Sequence, residues 1–228
     1  VPLLPHEFWQ TLDPPGTHTT VGPFTGSWPA TLPDGRQLLL PIRVLPGDGT
    51  RGVAGLISNQ ASLVVLDALV EAMAAPLAAA EPDLIIGVPT LGLPLAEGVA
   101  RRLGHSRLLP LSTSRKFWYQ DELSEPLSSI TTPERRKSLF IDPRLLPLLD
   151  GRRIVVIDDV VSSGQSMVAT LRLLRKVGVT PVAISVAMRQ GDKWRAALAA
   201  EDAGWPELVQ GVFGSPLLRK ESDGWIAS

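Results

Sequence analysis

Five short apolar runs, at residues 84–88, 107–111, 153–157, 181–187 and 208–213, alternate with stretches of helical spacing, and this rhythm constrains the fold most. Continuous apolar strands, as opposed to alternating ones, belong in a sheet covered on both faces. Parallel strands need long crossovers, and helices between successive strands supply them. Leu63, Leu66, Val70 and Met73 recur one helical turn apart, and 95–103 and 165–176 read as further helices. The expected class is α/β, with a five-stranded, mostly parallel, doubly wound sheet.

The first 55 residues break this rhythm. They are rich in Pro, Gly and Thr, and Asp34-Gly35 before the apolar residues 38–44 signals a β-hairpin. The expected division is an irregular N-terminal lobe at 1–55, an α/β core at 56–213 and a C-terminal tail at 214–228, the lobe and tail forming a small hood. Apolar residues make up 44% of the chain, enough for a core. A net charge of −1 argues against duplex nucleic acid as the partner but leaves room for a small anion. The chain has no Cys, which excludes a disulfide frame and Cys-based zinc sites. His6, His18 and His105 are isolated and show no ligand spacing. The apolar stretch 61–80 carries Asp67, Glu71 and Pro76, so it reads as an amphipathic helix and not a membrane span. A cytoplasmic chain without nucleic-acid or membrane partners is expected. Residues 113–138 are polar and aperiodic, and a connection of that length inside an α/β domain reads as a lid or binding loop.

The strongest chemical signal is residues 155–166, VVIDDVVSSGQS. An apolar strand ends in Asp158 and Asp159; a turn of hydroxyl residues and Gly164 follows; then a helix begins. Unpaired amides and the macrodipole at a helix start favour a phosphate dianion. Gly164 lets the backbone approach closely. Carboxylates beside a phosphate site repel the phosphate itself, so they suit sugar hydroxyls, a metal ion or a developing positive charge. No Gly-Lys-Ser/Thr follows, which separates this string from a Walker loop. If the runs at 84–88 and 153–157 are neighbours, their following turns flank one crevice at a switch point of the sheet.

The string resembles the phosphoribosyl pyrophosphate motif of the type I phosphoribosyltransferases. The resemblance implies that Ser162, Ser163, Gly164, Gln165 and Ser166 hold the 5′-phosphate. It implies that Asp158 and Asp159 engage the ribose hydroxyls, help stabilise an oxocarbenium-like transition state, and meet Mg²⁺ indirectly through ribose and pyrophosphate. Thr90-Leu91-Gly92 is similar to the family's pyrophosphate loop, which often holds a strained peptide bond. Arg115-Lys116 is similar to the pair opening the catalytic loop of purine-type members, with Arg115 on the pyrophosphate and Lys116 catalytic. Residues 56–60 are loosely similar to the segment before the first core helix of xanthine- and adenine-type members, which contributes to base recognition, so Ile57 and Asn59, with Val160 of the main string, are the base-binding candidates, and Trp225 is a further candidate to stack on the base. Gln165 resembles the xanthine type, while 89–94 resembles the orotate type. The implied activity is transfer of 5-phosphoribosyl from phosphoribosyl pyrophosphate to a nucleobase, a purine first and orotate second, with pyrophosphate released and a homodimer as the assembly. The alternatives are a non-catalytic regulator that senses phosphoribosyl pyrophosphate and a hydrolase using the same crevice.

Overall fold

The computed structural model describes residues 3–127 and 137–228. In chain order the elements are β1 (Ser27–Thr31), β2 (Gln37–Val44), β3 (Arg51–Ala54), α1 (Leu63–Leu77), β4 (Leu84–Gly87), α2 (Gly92–Arg102) and β5 (Leu109–Pro110). There follow β6 (Ser124–Leu127), β7 (Lys137–Phe140), β8 (Ile154–Val161), α3 (Gln165–Lys176), β9 (Ala183–Gln190), α4 (Lys193–Ala199), β10 (Val209–Ser215), β11 (Leu217–Glu221) and β12 (Gly224–Ala227).

The apolar runs form one five-stranded sheet in the order β10-β9-β8-β4-β5. Each neighbouring pair is parallel. Helices α1 and α2 cover one face, where Val65, Leu69, Met73, Leu95 and Val99 pack against Val155 and Ile157. Helix α3 covers the other, where Met167, Leu171 and Leu174 pack against Ile154, Val156 and Ile184. Each such side chain, fully buried, is worth roughly 1.5–3 kcal/mol of transfer free energy.

Helix α1 starts at Ser62, whose Oγ accepts from the Val65 amide at 3.2 Å. Residues 63–80 are long and apolar enough, by length and composition, to cross a membrane. Here Val65, Ala68, Leu69, Val70, Met73, Ala74 and Leu77 of α1 are buried in the protein's own core. Glu71 on its outer side pairs with Arg102 of α2.

Three features differ from the sequence reading. The run at 107–111 yields only the two-residue β5, an edge strand ending at Pro110, which has no amide to donate. The polar excursion is partly ordered: β6 and β7 pair antiparallel, and Lys176 of α3 binds Glu125 at 2.7 Å and the Ser124 carbonyl at 2.6 Å. Residues 128–136 of the expected lid lie outside the described residues. Finally, the first segment is not irregular and the last is not a separate tail. Strands from both close one antiparallel sheet in the order β1-β2-β3-β11-β12. Trp225 packs inside this hood with Phe24 and Leu218, and a Cβ on Gly52 would lie 2.8 Å from its ring. That packing removes Trp225 from base stacking.

Helices α1 and α2 meet at Gly98, where a Cβ would collide with Val70. Gly98→Ala should therefore destabilise the chain by about 1–3 kcal/mol through overpacking. A thermal melt should show a drop of roughly 2–4 °C per kcal/mol; an unchanged melting temperature would mean that the helices part without cost.

Candidate active site

Strands β4 and β8 are direct neighbours, with Gly87 opposite Ile157. Chain connections leave them in opposite directions, β4 toward β5 and β8 toward β9. Their following turns therefore diverge and open a crevice between them. Two close approaches set its walls. At the start of α2, a Cβ on Gly92 would lie 2.8 Å from both the Cα and Oδ1 of Asp158. Only a glycine lets the turn after β4 rest directly on the acid of β8. At the other turn, Gly164 has φ +83°, and a Cβ there would press on Ala197 and the Trp194 backbone of α4 at 3.0–3.2 Å. The close approach permitted by Gly164 is thus to the protein itself.

The acid pair lies inside β8, not beyond its end as the apolar pattern suggests. Val155 and Ile157 face the α1–α2 side, whereas Val161 belongs to the α3 side. Strict two-residue alternation would put all three on one face. The alternation breaks at the acids with no change of register, since β9 pairs at the same offset on both sides of them, Asp158↔Val186 and Val160↔Met188.

The two carboxyls are not equivalent. Asp158 is 6% exposed, and its Oδ1 accepts the Asp159 amide at 2.9 Å. Asp159 is half-buried. Burial, reinforced by the charge of Asp159, pushes Asp158 well above the usual carboxylate range, and burial also raises Asp159. The pair resists losing its second proton, as adjacent carboxyls do. Such a pair is matched to a positive charge that arrives with the ligand or develops during reaction.

The turn after β8 exposes Ser163 and Ser166 and half-buries Ser162 and Gln165. Residues 160–167 line a small cleft of about 130 Å³ over the start of α3. Ser163 Oγ accepts weakly from the Gln165 amide at 3.4 Å, which leaves its own proton free to donate outward. Ser162 Oγ instead donates to Gln190 Oε1 at 3.1 Å. Between this turn and the hood lies a larger cleft of about 860 Å³, which Arg51, Lys193 and Arg219 line together with Ser162 and Ser163.

At the turn after β4, the peptide bond between Pro89 and Thr90 is cis, one residue before the stretch 90–92. Thr90 is exposed, and the Leu91 carbonyl accepts from Ser58 Oγ at 2.6 Å. Ile57 and Asn59 flank that serine, half-buried and exposed respectively, and Val160 is half-buried on β8. Arg115 is turned to Asp121 at 2.9 Å within its own loop, and Lys116 beside it is exposed. The loop is rooted by Trp118, whose Nε1 donates to Asp142 Oδ2 at 3.2 Å and whose ring lies 4.5 Å under Arg144. The Arg144 guanidinium holds Asp142 down at about 2. Ser58 and Gln190, which brace the two turns, were not singled out from the sequence; each acts on a residue far along the chain, and no local pattern marks them.

A magnesium ion suits what is present. It is held by one or two carboxylates plus substrate oxygens more often than by an all-protein cage. Among the described residues no three His, Asp or Glu cluster into such a cage, while Asp158 and Asp159 stand together on β8, where they could meet an ion indirectly through ligand oxygens.

Comparison with known proteins agrees with this geometry. The phosphoribosyl transferase domain family matches residues 58–205. The chain is 31% identical to a hypoxanthine/guanine phosphoribosyltransferase of Methanosarcina mazei over 110 residues, 48% of this chain and 53% of that one. It is 32% identical to the transcriptional regulator GfcR of Halobacterium salinarum over 111 residues, 48% of this chain and 46% of that one. The chain thus spans about half the length of these curated relatives. Among solved structures, the adenine phosphoribosyltransferase of Giardia lamblia complexed with 9-deazaadenine superposes with a TM-score of 0.58 at 18% identity, covering 76% of this chain and 93% of that one. With the family matched across more than half its length, and with β4 and β8 carrying the acid pair and the hydroxyl turn to one crevice, the chain belongs to the phosphoribosyl transferase domain family.

Proposed function

We propose that this protein transfers 5-phosphoribosyl from phosphoribosyl pyrophosphate to a nucleobase nitrogen, with a purine favoured over orotate and pyrophosphate released. The observation that carries the reading is the contact of Gly92 with Asp158, which sets the turn after β4 beside the acid pair and within one crevice of the hydroxyl turn. In this reading residues 162–166 cradle the 5′-phosphate, chiefly with helix-start amides and the exposed hydroxyls of Ser163 and Ser166. Thr90, Leu91 and Gly92 meet the pyrophosphate, joined by Arg115. Asp158 and Asp159 engage the ribose hydroxyls, and their charge meets the cationic sugar as the carbon–oxygen bond to pyrophosphate breaks. Lys116 adds positive charge near the leaving group when its loop closes. Ile57, Asn59 and Val160 border the base. Magnesium, held through substrate oxygens near the acids, would neutralise the pyrophosphate. A homodimer is the assembly in which loops of such enzymes close over their sites. A second reading, donor sensing without transfer, is supported by the likeness to a transcriptional regulator.

Incubating the chain with phosphoribosyl pyrophosphate, magnesium and a panel of nucleobases should yield a nucleotide with a purine. Saturable donor binding with no product from any base would support sensing instead. At a hundred times its dissociation constant the donor should stabilise the fold by about 2.7 kcal/mol, or roughly 5–10 °C. Replacing both acids by Asn should lower turnover by ~10²–10³ or more, the scale of a lost transition-state electrostatic partner, while leaving the fold intact. Unchanged turnover would remove the acids from the mechanism.

The raised acids also set a direction with pH. The folded state holds the Asp158 proton more tightly than the unfolded chain does. The contribution of Asp158 to stability is therefore fullest below about pH 4, the unfolded value, and is lost as pH rises through the raised folded value. Asp158→Asn alone should raise the melting temperature at neutral pH by ~2–4 °C, the equivalent of about 1 kcal/mol in a chain of this size. That gain should fade near pH 4, where both proteins are neutral at this site. A gain that persists unchanged into acid would exclude charge burial as its cause.

A further inference from the structure

The Gln190 side chain closes the carboxyl end of β9 and is 7% exposed. Its backbone is already fixed, because Gln190 pairs with Ser215 of β10 and the Gly191 amide donates to the Ser215 carbonyl at 2.8 Å. The carboxamide is therefore free to bridge other elements. Its Nε2 donates to the carbonyl of Ala54, the last residue of β3, at 2.7 Å. Its Oε1 accepts from Ser162 Oγ at 3.1 Å. Chemistry fixes this orientation: a carbonyl only accepts, so the amide nitrogen must face Ala54, and the amide oxygen is left toward the serine. Ser162 must then give its only hydroxyl proton to Gln190. A phosphate dianion needs donors, and while this bond stands the Ser162 side chain offers it lone pairs alone. Ser163 and Ser166, both exposed, have no such commitment to Gln190.

The same hood segment also reaches the other ligand turn. Four residues after Ala54, the buried Ser58 holds the Leu91 carbonyl at 2.6 Å. One short stretch of chain, 54–58, thus braces the turn after β4 directly and the turn after β8 through Gln190.

We propose that Gln190 is a positioning residue, that it fixes the phosphate turn to the hood through Ser162, and that the Ser162 hydroxyl is an anchor and not a ligand of the 5′-phosphate. This rests on the functional reading above, since it assigns a task within the donor site. It divides the hydroxyl turn by role: the Ser162 side chain holds the turn in place, and Ser163, Ser166 and the helix-start amides grip the phosphate.

The test uses ribose 5-phosphate as the probe, titrated calorimetrically into the full chain, with donor KM and kcat measured alongside. Ser162→Ala leaves the Gln190–Ala54 bond intact, so its fold is safe; Gln190→Met keeps the length and removes both bonds. Each should weaken the probe by about tenfold, the scale of one neutral hydrogen bond, and raise donor KM more than it lowers kcat. The double variant should be no worse than Gln190→Met alone, because the bond that Ser162→Ala removes is already lost there. Ser162→Thr should restore binding, and Ser163→Ala added to Ser162→Ala should multiply the loss. A double variant whose losses multiply would overturn the proposal. So would a loss of a hundredfold or more from Ser162→Ala, which would mark a direct, charge-assisted contact to phosphate. A wild-type chain that does not bind ribose 5-phosphate would sink the functional reading, and this inference with it.

Discussion

The start of α2 rests on the Cα of Asp158 because Gly92 has no side chain to hold it away. Everything at the crevice depends on that contact. It sets the distance between the turn after β4 and the acids of β8. It also encloses Asp158 and thereby raises its proton affinity. A larger residue at position 92 would have to push α2 off the sheet edge, and both consequences would be lost together.

Burying two neighbouring carboxyls without a cation between them works against the fold. Charges in such a place are usually paired or neutralised. Here burial and the carboxyls' mutual repulsion raise the proton affinity of both, and in the proposed function the balancing charge comes with the ligand. Under the proposed function, such a site would prefer a cationic transition state over a neutral ground state, which gives a destabilising feature of the core a use.

Much of the architecture could be read from local pattern. Runs such as 84–88 and 153–157 became β4 and β8 because continuous apolar strands have one comfortable place, the middle of a covered sheet. The acid–hydroxyl string was legible for the same reason: its strand, turn and helix are contiguous in sequence. The ribbon of β6 and β7 was not, because its strands are short, interrupted by Pro126, and tied to α3 by contacts remote in sequence, such as Lys176 with Glu125 and the Ser124 carbonyl. The hood was only half legible. β3 pairs with β11 from the far end of the chain, and nothing local in either segment announces the other. Trp225, exposed-looking in a terminal stretch, is buried because that pairing lays it over Gly52.

The sequence by itself determined the sheet, its helical cover and the chemical character of one turn, since periodicity and adjacency are local properties. Tertiary structure alone decided how the site is braced and how its acids differ. Gln190 meets Ala54 across 136 positions, Ser58 meets Leu91 across 33, and Asp158 is enclosed by a glycine from another element. Hydrogen bonds and desolvation depend on distance in space, and distance in space between remote residues exists only once the chain has folded.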